Sequence, residues 1–128
     1  MSNKKLLGTV LVTGAAGAIG HEISRILYES GYKVIGTDHP NKNPKKDTLD
    51  FCSYWIKQDL EKLCENEQIA KDFCDSVILK TNNSPLIGIV NNAAIQILRK
   101  FSNLSLKDWK LSLEINLIAP ILLSKNLI

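Results

Sequence analysis

Eight residues near the N-terminus, Thr13-Gly14-Ala15-Ala16-Gly17-Ala18-Ile19-Gly20, have the composition of a turn that accepts phosphate. Glycine carries no Cβ, so the backbone can turn tightly and let a pyrophosphate approach closely. A helix beginning just beyond would aim free N–H groups and the positive end of its dipole at the same anion. Asp38 stands 18 residues after Gly20, where a carboxylate can accept hydrogen bonds from the hydroxyls of an adenosine ribose. Loop and acid together point to a dinucleotide. The acid also repels a 2′-phosphate and so favours NAD, while His39 and Lys42 beside it leave NADP open. The glycine spacing is not the strict GxGxxG, and without the acid the segment would read as an ordinary glycine-rich turn.

For loop and acid to converge, a strand must enter the loop, a helix must leave it, and a second strand must end at the acid. Thr9–Thr13 is short, apolar and β-branched, as a buried strand requires. From Ile19 apolar residues recur at 19, 23, 26 and 27, which predicts a helix with that inner face, stopped by Gly31. Residues 33–37 predict a second strand, 40–50 an exposed polar connection, and 54–58 a third strand. Residues 61 to about 80 predict one long helix with Leu63, Ile69, Phe73, Val77 and Ile78 inward. Leu86–Val90 predicts a fourth strand, and Ser105 with Asp108 forms a capping-box pattern opening a last helix. The alternation argues for an α/β fold: a Rossmann-like doubly wound parallel sheet of about four strands and three main helices. A single domain over residues 1–128 is expected.

Composition narrows the class. With 45% hydrophobic and 23% charged residues, the chain is neither disordered, collagen-like nor a multi-span membrane protein. A net charge of +3 is too mild to argue for nucleic acid or a membrane surface, and Lys42, Lys45 and Lys46 have no interleaved aromatic residues. Cys52, Cys64 and Cys74 are odd in number and lack CxxC spacing, so reduced thiols in the cytoplasm are expected rather than disulfides or a metal site. Lys4 and Lys5 before the apolar run 6–20 superficially resemble a signal peptide, but glycines and Thr13 break the run, which is too short to span a bilayer.

Three further segments match a known order. Asp59-Leu60 follows the third strand, Asn91-Asn92-Ala93-Ala94 follows the fourth, and Asn116 lies within DWKLSLEINLIAP. With TGAAGAIG and Asp38, these make the chain resemble the short-chain dehydrogenase/reductase family, ordinary single-domain branch, over nearly its whole length. The resemblance implies an NAD(P)-dependent hydride transfer between a nicotinamide and an alcohol or carbonyl. It implies cofactor contacts from Thr13, Gly14, Gly17, Ala18, Ile19, Gly20, Asp38, Asp59, Leu60, Asn91 and Ala93. Asp59 would meet the adenine edge, and Asn116 would belong to a catalytic Asn-Ser-Tyr-Lys set. One departure is Ala18, where the ordinary branch has glycine; read as TGxxGxxG, the loop resembles the extended branch that includes sugar-nucleotide epimerases.

Pro120 has no N–H, so the carbonyl of Asn116 loses its intrahelical donor and the helix should bend there. In the family such a carbonyl holds a water in a relay to the catalytic lysine. The remaining partners are not in the sequence: four residues after Tyr28, Tyr32 and Tyr54 stand Tyr32, Gly36 and Gln58, so no YxxxK occurs. The last helix carries two apolar stripes, one of Leu111, Ile115, Ile118 and Leu122, the other of Leu106, Trp109, Leu113, Leu117 and Ile121. A helix apolar on two faces needs cover on both. The resemblance implies that one face meets the sheet and the other the next helix and a partner subunit, so an oligomer through this helix is expected. The expectation is therefore the cofactor-binding, N-terminal portion of such an enzyme, incomplete at its C-terminus and inactive alone. The alternative is a non-catalytic dinucleotide-binding or regulatory module that docks on a full-length relative. The loop 95–104, with Arg99, is expected to border the substrate.

Overall fold

The computed structural model describes residues 5–128; Lys4, part of the basic N-terminal start, lies outside the described residues. Four parallel strands, β1 (Thr9–Thr13), β2 (Lys33–Asp38), β3 (Tyr54–Lys57) and β4 (Leu86–Val90), form one sheet in the order β3-β2-β1-β4. The order reverses direction at β1, which places β1 between its two crossovers. β1 pairs with β2 without a shift, while its pairing with β4 skips Ile87 between Thr9 and Val10; Leu11 lies beside Ile35 and Ile89, and Val12 beside Gly36 and Val90.

Because successive side chains on a strand point to opposite faces, the central strands feed two cores. Leu11 and Ile35 pack under Leu63, Ala70, Phe73, Val77, Ala119 and Leu123. Val10, Val12 and Val34 pack on the other face against Ala15, with Ile23 and Leu27 beside them. All five residues of β1 are buried, as a strand covered on both faces must be.

The helices are α1 (Ala18–Glu29), α2 (Lys46–Phe51), α3 (Leu60–Leu63), α4 (Glu67–Thr81), α5 (Leu106–Leu113) and α6 (Ala119–Leu127). Several differ from the sequence expectation. In α1 the inner face is Gly20, Ile23, Ser24 and Leu27, whereas Ile19 and Ile26 are 70% and 54% exposed. Small residues, not the apolar ones, let this helix lie close to the sheet. The expected open connection at 40–50 contains α2, whose Thr48 is fully buried with its hydroxyl 2.6 Å from Nδ1 of His21.

The single helix expected from 61 is two. Asp59 caps α3 through Glu61 N–H, and Asn66 caps α4 by accepting from Ile69 N–H. A side chain satisfying a helix's first orphan donors makes a new start preferable to a continuous rod. The inner face of α4 is Ala70, Phe73, Cys74 and Val77, while Ile78 faces out at 46% exposure.

The capping box at Ser105 and Asp108 forms as expected, each side chain taking the other residue's amide. Between α5 and α6 the helix widens into a π-helical turn over Glu114–Ile118. This is where Pro120 withholds the donor that residue 116 would need, so the sequence-predicted bend takes the form of a local change of helical pitch. Beyond it, Ala119 and Leu123 are fully buried in the sheet-facing core.

Candidate dinucleotide cleft

At the carboxyl ends of the strands lies a cleft of about 570 Å³. Its floor is the loop after β1, one wall is the ends of β2 and β3, and the other is the segment after β4. In an open parallel sheet this is where ligands bind, beside the strand at which the order reverses.

The glycines explain how the loop is built. Gly14 takes φ +64°, and a Cβ there would stand 2.9 Å from Ala93 Cα. A Cβ on Gly20 would collide with the carbonyl oxygen of Gly14, so α1 can start against its own loop only with glycine at that point. Gly17 is the N-cap of α1, brings no side-chain acceptor, and no acid stands in the first turn. The positive end of α1 therefore opens on the cleft without a side-chain cap or acid of its own, a fitting place for a phosphate oxygen.

The rest of the loop is held by cross-links between strand ends. Thr13 Oγ1 accepts from Ala93 N–H at 3.0 Å, and Asn92 Nδ2 donates to the carbonyls of Thr13 and Gly14 at 3.1 and 3.2 Å. Asp38 Oδ2 accepts from Ala16 N–H at 2.9 Å and Oδ1 from His39 N–H at 2.8 Å. A carboxylate has about four acceptor sites, so roughly two remain for a ribose. Asp59 Oδ1 caps α3, and its Oδ2 lies 3.3 Å from His39 Nε2.

Of the residues expected from sequence, Thr13, Gly14, Gly17, Ala18, Ile19, Gly20, Asp38, Asp59, Leu60 and Ala93 line this one cleft. Two do not. Asn91 is exposed and outside the wall, and its neighbour Asn92 stands there instead. Asn116 is also outside the wall; its amide makes a reciprocal pair with the backbone of Ile95, donating to O and accepting from N–H, both at 2.9 Å. That pair ties the segment after β4 to the π-helical turn. Ile95 and Ile115 thereby reach the cleft, and nothing in their apolar side chains marked them in the sequence. Gln58 also lines it, and its Nε2 donates to the Asp59 carbonyl at 2.9 Å.

Arg99 pairs with Asp108 at 2.8 Å, and so serves the start of α5. The Ser105 amide, foremost, holds the Asp108 carboxyl below the usual aspartate range. Cys52, Cys64 and Cys74 are all free, and burial pushes each thiol up to about 11. Among the described residues no group of His, Cys, Asp and Glu could hold a metal ion, and no helix is long and apolar enough to cross a membrane.

The sequence pattern of the short chain dehydrogenase family matches residues 8–128. An acetoacetyl-CoA reductase of Acinetobacter sp. is 30% identical over 121 residues, 91% of this chain and 46% of that protein. The carbonyl reductase from chicken fatty liver, solved with NADPH bound, is 25% identical, with a TM-score of 0.75 over 96% of this chain and 51% of that one. A 3-oxoacyl (acyl-carrier-protein) reductase from Agrobacterium tumefaciens, solved with NADP, shares the fold at a TM-score of 0.79 and 22% identity, over 96% of this chain and 47% of that one. The chain thus spans about half the length of these relatives.

Proposed function

This chain belongs to the short chain dehydrogenase family, and from that premise we propose that it is the nicotinamide-dinucleotide-binding portion of an NAD(P)-dependent oxidoreductase. The observation that carries the reading is the convergence of the uncapped start of α1, Asp38 and Asp59 on one cleft. Amides at the start of α1 would hold the pyrophosphate, Asp38 the adenosine ribose, and Asp59 with Leu60 the adenine end. Ala93, Ala94 and Ile95 would border the nicotinamide end. The bound dinucleotide would supply a site for hydride to arrive at or leave from. The chain's own part is to bind it, orient it and shield it from water.

The cofactor bound by the chicken carbonyl reductase, NADPH, supports the nicotinamide class. Asp38 favours NAD within that class, because a 2′-phosphate beside its carboxylate would meet like charge. In this reading residues 1–128 belong to one dinucleotide-binding domain, and the three free thiols suit a reducing compartment such as the cytoplasm. No tyrosine here has a lysine four residues on, so no side chain stands ready as the family's general acid. The 128-residue polypeptide is accordingly expected to bind dinucleotide without turning over alcohols or carbonyls. Asn116 would act in the intact site through the loop it holds.

Titration calorimetry with NAD and NADP tests binding, with Gly14→Val as the variant whose cleft cannot form. Saturable NAD binding lost in that variant is the expected result. NAD-dependent turnover by the purified chain, abolished by the same substitution, would overturn the inactive assignment. A second reading, a non-catalytic module docking on a full-length relative, draws on the exposed row Leu106, Trp109, Leu113, Leu117 and Ile121. Co-purification with a longer homologue is its test.

A further inference from the structure

The end of the sheet opposite the dinucleotide cleft holds a second hollow, of about 550 Å³, at the amino ends of β1, β2 and β4. Lys33, the first residue of β2, lines it and is only 9% exposed. Its Nζ donates to the carbonyl of Thr81 at 3.1 Å and lies 5.1 Å from the centre of the Tyr54 ring. Lys80 Nζ stands 4.9 Å from the centre of the same ring, and Lys5 lines the same hollow. Among the described residues none of these three lysines pairs with an acid and no acid lines the hollow. Residues 1–4 contain no acid either.

A buried cation is ordinarily paired, because burial without a counter-charge is costly. Thr81 is the last residue of α4, so Lys33 meets the negative end of that helix, worth roughly half an elementary charge. The face of Tyr54 adds attraction but no charge. Against three ammonium groups this leaves most of the positive charge unbalanced. The Lys33 ammonium has three N–H donors, and among the described residues only the Thr81 carbonyl takes one. Ser84, 7% exposed on the same hollow, has a buried hydroxyl with no hydrogen-bond partner among them. Such a group calls for a partner. Two ammonium groups, Lys33 and Lys5, suit a dianion, and Leu6 and Leu7, exposed beside them, suit an apolar body. We propose that this hollow is a second ligand site, which takes a phosphate monoester carrying an apolar group. It is separate from the dinucleotide cleft and does not depend on the reading of that cleft.

The test is a titration of the 128-residue chain with phenyl phosphate, followed by nitrogen-15 NMR so that each site is read through its own amides. Saturable shifts at Asn82, Asn83 and Ser84, which line the hollow, are the expected result. Inorganic phosphate should move the same amides with about three- to tenfold weaker affinity, for want of the ring. Lys33→Met keeps most of the side chain's length without its charge and should weaken phenyl phosphate about tenfold, the size of one charge-assisted hydrogen bond. Lys5→Gln, in the exposed segment before β1, should weaken it about threefold without touching the core. It carries the test alone if circular dichroism shows that Lys33→Met does not fold. If Lys33 serves only to hold the end of α4, a folded Lys33→Met chain melts lower and binds phenyl phosphate unchanged, which overturns the site. Shifts confined to residues 14–20, no saturation at Asn82, Asn83 and Ser84, or an unchanged affinity in Lys5→Gln would overturn it equally. None of these outcomes bears on whether the cleft at the other end of the sheet binds a dinucleotide.

Discussion

At the scale of single residues, stability and binding can be set against each other at Gly17. Its φ is −76°, which any residue adopts, and an added Cβ meets only the Gly14 carbonyl oxygen at 3.4 Å. Gly17→Asp therefore fits the backbone and supplies α1 with the N-cap it lacks, adding a few tenths of a kcal/mol to stability. The same carboxylate takes the amides a pyrophosphate would use and repels it. The expected outcome is a slightly higher melting temperature with NAD affinity reduced about tenfold or more, by differential scanning fluorimetry and calorimetry. A variant that binds NAD normally would show that phosphate does not sit at this helix end. The thiols give a second test. Their folded value of about 11 lies above the ordinary 9.0, so the protonated form is favoured by folding. That contribution is complete below pH 9.0 and is lost as pH rises through about 11, so stability should fall across this interval. Ultraviolet thiolate absorbance should appear near the upper figure in the folded chain and near the lower one in urea. The placement of individual residues was legible in the sequence where backbone chemistry chose the residue, as at Gly14, Gly20 and Asp38, which stand in the loop and at the strand end expected. Which of Asn91 and Asn92 faces the loop was not legible, because two adjacent asparagines are chemically identical and only the curl of the chain after β4 decides it.

Among elements, the strands were legible and the helix boundaries less so. Each strand is a short β-branched or apolar run bounded by polar residues or glycine, a pattern that depends little on what covers it. Helix faces depend on their partners. The periodicity of α1 predicted Ile19 and Ile26 inward, but close approach to the sheet requires the small Gly20 and Ser24 there. The break between α3 and α4 was hidden because apolar spacing continues across it, while the decisive signal was Asn66, a capping residue. In the last helix the buried residues are Ala119 and Leu123, which belong to neither apolar row expected from sequence, and Ile118 of the first row is 38% exposed, so the true inner face is testable. Leu123, fully buried among Leu11, Ile35 and Phe73, should cost about 2–5 kcal/mol when cut to alanine. Ile121, two residues earlier and 52% exposed, should cost about 0.5 kcal/mol or less by the same urea denaturation measurement. Comparable losses at both sites would mean that α6 does not sit on the sheet as described. Asn116 couples this helix to the cleft: Asn116→Ala should quicken amide exchange at Ile95, whose N–H it holds.

For the whole molecule, the consequence of these placements is an asymmetric surface. Leu106, Trp109, Leu113, Leu117 and Ile121, the second row expected from sequence, are each 44–70% exposed along α5, the π-helical turn and α6. β4 closes the sheet on the same side of β1, with Ile87 55% exposed. A contiguous apolar band of this kind is rare on a protein that stays single in solution, since removing it from water contributes roughly 25 cal/mol per Å². Net charge of +3 offers little repulsion to oppose contact. The chain should therefore self-associate with rising concentration, and Leu117→Lys together with Ile121→Lys should shift it toward the monomer in light scattering without lowering its unfolding free energy by more than about 0.5 kcal/mol. The cleft lies at the carboxyl ends of the strands, whereas the band runs along a helix face, so NAD affinity should be unchanged in the doubly substituted chain. Loss of binding in that chain would instead show that the cleft takes its shape from the association, with the π-helical turn and Asn116 as the connection between them.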